Sequence, residues 1–142
     1  MADLTPQNLP DAFYRAAVKV LIIDELGRLL VTQNQDSLWE VPGGGWEHHE
    51  TLLECVAREM DEELGVKVEN ISDIEFVLRG ESERGWHVLR LAVRATLSDD
   101  AVLTPGDDQV AFRFVNRRDF LQLEFCAADK PFQDATEKIW TD

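Results

Sequence analysis

The stretch of sequence that decides the fold runs from residue 44 to residue 66 and reads GGWEHHETLLECVAREMDEELGV. From Glu50 to Leu64 its apolar residues recur with the spacing of a helix, at about 100° per residue, and share one face. The members of this face are Leu53, Val56, Ala57, Met60 and Leu64. The spacing predicts a helix over residues 50–64, with Gly65 as its C-cap.

The acidic residues of this helix are placed unusually. Glu59, Glu62 and Glu63 fall within an arc of about 100°, beside the apolar face rather than opposite it. Like charges at these spacings repel, and Arg58 is the one basic residue that the helix contains. A surface helix with ion pairs is the plain alternative, which the scarcity of bases disfavours. A hard divalent cation, Mg²⁺ or Mn²⁺, would neutralise the cluster, because these ions prefer carboxylate oxygens.

A run of glycines precedes the helix. Residues 42–45 read Pro-Gly-Gly-Gly, and glycines let a backbone turn tightly and bring its carbonyl groups close to a ligand or metal. The run predicts a loop, and taken alone it is more often a plain loop than a site. Its fixed distance from the acidic helix is what makes it informative.

The rest of the chain predicts an α+β fold with a mixed sheet between helices. Two apolar runs around Gly27 predict a hairpin over residues 15–33, and residues 38–41 predict a short strand. Further strands are predicted at 71–78, 86–97 and 110–115, with a charged loop at 79–85 and short helices at 120–123 and 131–140. Residues 1–12 are predicted to form a loose arm, and residues 13–142 a single domain.

Composition limits the functions that the chain can have. Among 142 residues there are 28 acidic and 14 basic ones, which gives a net charge of −14. This balance argues against a nucleic-acid polymer and against an anionic membrane as partners. A small phosphate-bearing ligand remains compatible, because a bound cation can meet its charge. With a polar N-terminus and no apolar run longer than Val20–Ile23, a cytoplasmic protein is predicted, and Cys55 and Cys126 are interpreted as packed thiols.

These residues resemble a known family. Residues 44–66 match every fixed position of the Nudix box, G-x5-E-x7-R-E-U-x-E-E-x-G-U with U aliphatic. The matching residues are Gly44, Glu50, Arg58, Glu59, Met60, Glu62, Glu63, Gly65 and Val66. The resemblance implies an α/β/α sandwich with a mixed sheet. It also implies an enzyme that uses Mg²⁺ or Mn²⁺ to hydrolyse a small nucleotide, a nucleoside diphosphate linked to a group X.

The resemblance also assigns roles by position. Glu59, Glu62 and Glu63 would bind the metal with the carbonyl group of Gly44, and the metal would activate the attacking water. Arg58 and Glu50 match the pair that forms an ion pair in the family. The catalytic set is therefore Glu50, Arg58, Glu59, Glu62 and Glu63. The general base stays open between Glu62 or Glu63 and two acids of a late loop, Asp107 and Asp108.

Substrate contacts are predicted less directly. The candidates are Gly43, Gly45, His49, Trp86 and Asp108. His49 stands where the family often has glycine, so the loop is either reshaped or brings His49 to the substrate. A metal site at His48 and His49 is disfavoured, because the carboxylates already supply ligands for a hard cation. Homodimers are common in the family, and no residue of this sequence proves one.

The box does not identify X. The proline that follows the box in ADP-ribose hydrolases and the downstream tyrosine of diadenosine polyphosphate hydrolases are both missing. Gln33 and Asn34 stand where relatives often carry a basic residue, which weakens a triphosphate as substrate. Two alternatives stay open: a housecleaning enzyme that acts on damaged nucleoside triphosphates, and a non-catalytic module that binds a nucleotide.

Overall fold

The computed structural model of the chain describes residues 6–141. Residues 1–5 of the predicted arm lie outside the described residues, and Pro6–Asn8 form one 3-10 turn. Eight strands and three α-helices follow in chain order. They are β1 (Arg15–Ile22), β2 (Leu29–Asn34), β3 (Trp39–Glu40), β4 (Gly43–Gly45), α1 (Leu52–Leu64), β5 (Val68–Glu69), β6 (Phe76–Glu81), β7 (His87–Leu97), β8 (Gln109–Val115), α2 (Arg117–Gln122) and α3 (Lys130–Thr136). Single 3-10 turns lie at Ala127–Asp129 and Glu137–Trp140.

The strands form two sheets. The larger sheet has the order β4-β1-β7-β5, with β6 also paired to β7. It is mixed, because β1 and β7 are parallel and the other pairs are antiparallel. The smaller sheet is antiparallel, with the order β3-β2-β8. The predicted α+β class with a mixed sheet between helices is confirmed, with the sheet divided in two.

The core consists of two apolar clusters on opposite faces of β1. Val18, Val20 and Ile22 pack with Cys55, Val56 and Met60 of α1. Leu21 belongs to the second cluster, with Phe120 of α2 and Phe132 of α3. This alternation follows from the two-residue period of a strand, and it places α1 on one face and the later helices on the other.

Helix α1 begins and ends where its capping residues stand. Thr51 and Glu54 form a reciprocal capping box, so the helix starts at Leu52 rather than at residue 50. Gly65 adopts a left-handed conformation with φ of 63°, which confirms the predicted C-cap.

The predicted apolar face of α1 was partly wrong. Leu53 is 57% exposed and Ala57 is exposed, whereas Cys55 and Glu59 are buried. The buried arc is rotated, because the helix lies against the short strand β4 as well as against the apolar side of β1. As a result Glu59 faces the protein rather than the solvent.

The predicted hairpin over residues 15–33 was wrong in its pairing. Both strands exist and the turn between them is closed by backbone hydrogen bonds from Asp24 and Gly27. The strands themselves share one isolated bridge, Ile23 to Leu29, and then enter different sheets. Residues 20–22 and 29–31 are buried, and such strands need partners on both edges. Long-range pairing therefore overrides the local turn.

Two other boundaries differ from the prediction. The glycines at 43–45 form β4, an edge strand paired with β1, rather than a loop. The strand predicted at 71–78 begins at Phe76, although Ser72 and Glu75 donate backbone hydrogen bonds to β7. Within residues 6–141, no helix has the length and apolar character needed to cross a membrane.

Candidate active site

Strand β4 brings the backbone against the acidic helix. An added Cβ on Gly44 would lie 2.7–2.8 Å from the three carboxylate atoms of Glu59. At Gly43, where φ is 133°, it would lie 2.0 Å from the carbonyl oxygen of Val18. A side chain at Gly44 would displace the Glu59 carboxylate from β4, and one at Gly43 would clash with the backbone of β1. Glycine at 44 therefore lets Glu59 lie against β4, and glycine at 43 lets β4 pair with β1.

Arg58 joins the glycine strand, the following loop and the helix. It donates two hydrogen bonds to the Glu50 carboxylate, at 3.0 and 2.7 Å, and a third to the carbonyl oxygen of Gly45 at 2.8 Å. Its remaining nitrogen contacts Glu59 at 2.9 Å and Glu62 at 3.3 Å. The predicted pair of Arg58 and Glu50 is confirmed. Hydrogen bonds from Arg58 lower the pKa of Glu50 to about 2, so this carboxylate stays charged.

Glu63 is held at the edge of the larger sheet. Its Oε2 accepts a hydrogen bond from the N–H of Gly43 at 3.0 Å. The pKa of Glu63 is raised to about 8, mainly by burial. Lys19 and the Gly43 N–H oppose the rise, and the nearby carboxylates of Glu40 and Glu59 contribute to it. Burial also raises the pKa of Glu59. Negative charge on this edge is therefore unfavourable without a cation.

A second chain segment completes an acidic cavity of about 380 Å³. Its lining residues are Glu59, Glu62, Glu63, Asp107, Asp108 and Gln109. The loop before β8 is docked on the end of α1 by backbone hydrogen bonds, from Thr104 to Leu64 and from Gly106 to Glu63, both 2.8 Å long. A Cβ on Gly106 would lie 2.0 Å from the Glu62 carbonyl oxygen, so this approach requires glycine. All four candidates for the general base therefore line one cavity.

The donor set of the acidic cavity fits a hard divalent cation, because it offers five carboxylates and the backbone beside Gly44. Within residues 6–141, no three Asp, Glu, His or Cys side chains are arranged so that they could hold one metal ion. Arg58 holds Glu59 and Glu62, and Gly43 holds Glu63. Glu62 is 58% exposed, and its contact with Arg58 is the longer of the two, at 3.3 Å.

The predicted substrate contacts lie outside the acidic cavity, except for Asp108. Trp86 lines an arginine cavity of about 420 Å³ with Arg15, Arg84, Arg90 and Asp129 among others. The guanidinium of Arg15 lies 5.5 Å from the centre of the Trp86 ring. Arg90 is 6% exposed and pairs with Asp129 at 2.8 Å.

A third cavity links the other two. This bridging cavity, of about 550 Å³, is lined by residues 13–16, residues 45–48, Arg58 and Glu59. It shares Glu59 with the acidic cavity and Arg15 with the arginine cavity. Gly45 lies on its wall, as does His48, whereas His49 is exposed and is not at positive φ. Glycine is therefore not needed at position 49 for backbone reasons.

Sequence reasoning missed several residues of these cavities. Gln109 was not considered, although it lies next to Asp108, and its amide donates to Glu40 at 3.1 Å. Arg90 and Asp129 lie 39 positions apart in sequence, so no local signal joins them. Lys19 lines none of these cavities, but its Nζ contacts the carbonyl oxygen of Val41 beside the glycine strand. It did carry a signal, since it is a charged residue within an apolar strand.

Comparisons with known proteins agree with the geometry. The family model described as the NUDIX domain matches residues 13–135. A relative from Dinoroseobacter shibae named RNA pyrophosphohydrolase is 37% identical over 71 residues, which are 48% of this chain and 44% of the relative. An RNA pyrophosphohydrolase of Pseudomonas fluorescens is 30% identical over 105 residues, 72% of this chain and 61% of the relative. The chain thus spans about half the length of the curated relatives that it matches.

Solved structures resemble the chain over most of its length. The crystal structure of MutT protein from Methanosarcina mazei matches with a TM-score of 0.76 and covers 94% of this chain and 100% of the matched chain. At 22% identity this likeness shows the fold.

Proposed function

The chain belongs to the NUDIX family, and from this premise we propose that it is a divalent-metal-dependent pyrophosphohydrolase that cleaves the diphosphate linkage of a small nucleotide. The supporting observation is the acidic cavity, where three glutamates of one helix edge face two aspartates of the late loop. Five carboxylates and a diphosphate repel each other unless a cation lies between them. Metal-dependent cleavage of a diphosphate therefore accounts for the five carboxylates of this cavity.

Glu59, Glu62 and Glu63 would hold Mg²⁺ or Mn²⁺ together with the carbonyl group of Gly44. When bound, the ion supplies polarisation of the phosphoryl oxygens and a lowered pKa for a water molecule. Arg58 keeps Glu59 and Glu62 oriented toward the cavity and ties them to Glu50 and the backbone of Gly45. This network limits the motion of Glu59 and Glu62. Arg58 would thus contribute to the reaction by positioning these carboxylates, without touching the reacting atoms itself.

We favour Glu63 as the general base. Its Oε2 is held by the Gly43 N–H, which leaves Oε1 to accept a proton from the attacking water. Glu62, Asp107 and Asp108 line the same cavity and are the alternatives.

The bridging and arginine cavities suit the remainder of the substrate. The diphosphate would lie at the acidic cavity. Group X or the nucleoside would extend from Glu59 through the bridging cavity toward Arg15 and the arginine cavity. Trp86 offers an aromatic face on which a base can stack, and three arginines offer donors to anionic or carbonyl groups. These contacts support the predicted role of Trp86 in substrate binding.

A hydrolysis panel tests the proposed function. Dinucleotides, sugar nucleotides, nucleoside triphosphates and a short RNA with a 5′-triphosphate are incubated with Mg²⁺ or Mn²⁺, and the products are identified by mass. We expect cleavage between two phosphorus atoms of at least one small nucleotide. The RNA arm is included because two relatives are named RNA pyrophosphohydrolase, whereas the charge of −14 disfavours a polymer.

Product identity separates the alternatives. Pyrophosphate released from triphosphates would indicate a housecleaning enzyme, and two monophosphates would indicate a substrate in which the nucleoside diphosphate carries another group. Tight metal-dependent nucleotide binding without any product would favour a non-catalytic module and would contradict the proposed hydrolysis.

A further inference from the structure

Lys19 is a half-buried charged residue in the middle of a central strand. Its neighbours Val18 and Val20 are buried against α1, so the two-residue period of β1 directs Lys19 to the opposite face, with Leu21. A lysine in such a strand is unfavourable unless its ammonium group reaches polar partners. This placement is not explained by the packing of the core.

The Lys19 side chain reaches the edge of the sheet where the acidic helix is held. Its Nζ donates a hydrogen bond to the carbonyl oxygen of Val41 at 3.1 Å. In the pairing of β1 with β4, Lys19 lies opposite Gly43, and the N–H of Gly43 binds Glu63. The ammonium group and the Glu63 carboxylate are thus held by residues 41 and 43 of one short segment.

Lys19 nevertheless forms no direct ion pair. In the part of the chain that the structure describes, no carboxylate lies within 4 Å of its Nζ, and Val41 is its one hydrogen-bond acceptor. Because Lys19 lies opposite Gly43 and its Nζ contacts Val41, the ammonium stands at the same short segment, residues 41–43, that holds the Glu63 carboxylate. Its charge also lowers the pKa of both Glu59 and Glu63. Two of its three protons remain available for a ligand between them.

We propose that Lys19 is a substrate-binding residue whose ammonium group binds a non-bridging oxygen of the substrate's diphosphate, beside the phosphoryl group held at the acidic cavity. The proposal rests on the proposed function. A diphosphate brings two or more negative charges to five carboxylates, which is more than one divalent ion offsets. A fixed ammonium group supplies additional positive charge and a strong charge-assisted hydrogen bond.

The test measures binding of a diphosphate that cannot be hydrolysed. Wild type, Lys19→Met and Lys19→Arg are titrated with α,β-methylene-ADP in Mg²⁺ by calorimetry. Lys19→Met is expected to lower the affinity about 10- to 100-fold, because a hydrogen bond to a charged group is lost. Lys19→Arg should restore most of the affinity. The matched control is Lys67→Met, which removes an exposed charge just beyond α1 and should leave binding unchanged.

A second titration separates substrate binding from a structural role. Mn²⁺ is added to each protein without nucleotide, and its affinity for Lys19→Met should equal or exceed the wild-type value, because a positive charge facing Glu59 and Glu63 is gone. If Lys19 served only to hold Val41, Lys19→Met would weaken Mn²⁺ and the analogue alike, and Lys19→Arg would not rescue either. That result would overturn the proposal, as would unchanged binding of the analogue to Lys19→Met. Wild type that binds no methylene-ADP in Mg²⁺ and cleaves nothing in the panel would overturn the proposed function as well.

Discussion

The acidic cavity and the arginine cavity are built in different ways. Three residues of the acidic cavity come from five consecutive positions of α1, Glu59 to Glu63, and the rest from residues 107–109. The arginine cavity draws on β1, the turn between β6 and β7, β7 itself and the segment before α3. The first is set largely by the geometry of one helix, and the second by the packing of four separate segments.

The two cavities also differ in how their charges are balanced. Arg90 pairs with Asp129 in a buried contact, and Arg15 lies against the Trp86 ring. In the acidic cavity, Glu63 is half-buried and burial raises its pKa, so the protein leaves the negative charge there incompletely balanced. An acidic site whose charge the protein leaves incompletely balanced is suited to a cation, whereas the ring and arginines of the other cavity are suited to a base and its polar groups.

The largest expected effect is on the chemical step. Glu62→Gln and Glu63→Gln should each lower kcat by about 1,000-fold or more, because metal-based stabilisation of a phosphoryl transition state amounts to several kcal/mol. Circular dichroism and thermal unfolding of the same variants should show an intact fold. Turnover at the wild-type rate in both variants would contradict the site assignment. Asp61→Asn, an exposed acid of the same helix, is the matched control and should leave kcat unchanged.

Removal of metal should affect binding as well as turnover. Excess chelator is expected to abolish hydrolysis and to weaken nucleotide affinity by about 100-fold, since the cation bridges two negatively charged partners. Calorimetric titration of α,β-methylene-ADP with and without chelator measures the change. Substantial nucleotide binding in excess chelator would show that the arginine and bridging cavities provide the affinity. The acidic cavity would then contribute little to nucleotide binding, contrary to the role assigned to it.

Much of the fold could be predicted from sequence, because its elements have local signals. The helix at 52–64 is specified by its period, its capping threonine and Gly65, and most strands by apolar runs. Strand pairing has no local signal. The turn at 24–28 predicts a hairpin on short-range grounds, and only the burial of both strands, a property of the whole fold, places them in separate sheets.

The residues of the site likewise divide into those with a local sequence signal and those without one. The pair of Arg58 and Glu50 spans eight positions and was predicted through the box. Lys19 and Gln109 were missed, because their contacts with Val41 and Glu40 depend on how β1, β4 and the late loop are packed. Gly106 gave no motif signal either, although its lack of a side chain lets that loop reach α1.

In the arginine cavity, substitution of Trp86 should have a moderate effect, mainly on substrate binding. Trp86→Ala is expected to raise KM by about 10-fold or more for the substrate found in the panel, because stacking on a base contributes about 1–3 kcal/mol. The kcat value should change less, since Trp86 does not line the acidic cavity. Trp86→Phe should retain most of the affinity. If Trp86→Ala instead lowered kcat by about 10-fold and left KM unchanged, the arginine cavity would not hold the substrate.

The last expected effect is on stability rather than on turnover or binding, and it is a pH dependence that belongs to the acidic cavity. The pKa of Glu63 is raised from 4.5 to about 8 in the folded protein, so the folded state favours its protonated form. Its contribution to the free energy of unfolding is therefore full below pH 4.5 and is lost as the pH rises through about 8. Denaturant unfolding of metal-free protein between pH 5 and pH 8 should show wild type losing stability relative to Glu63→Gln, whose amide does not titrate. Trp86→Phe changes no ionisable group and should follow the wild-type curve. A difference between wild type and Glu63→Gln that stays constant with pH would mean that Glu63 is already ionised without a cation, and the charge imbalance that distinguishes the two cavities would disappear.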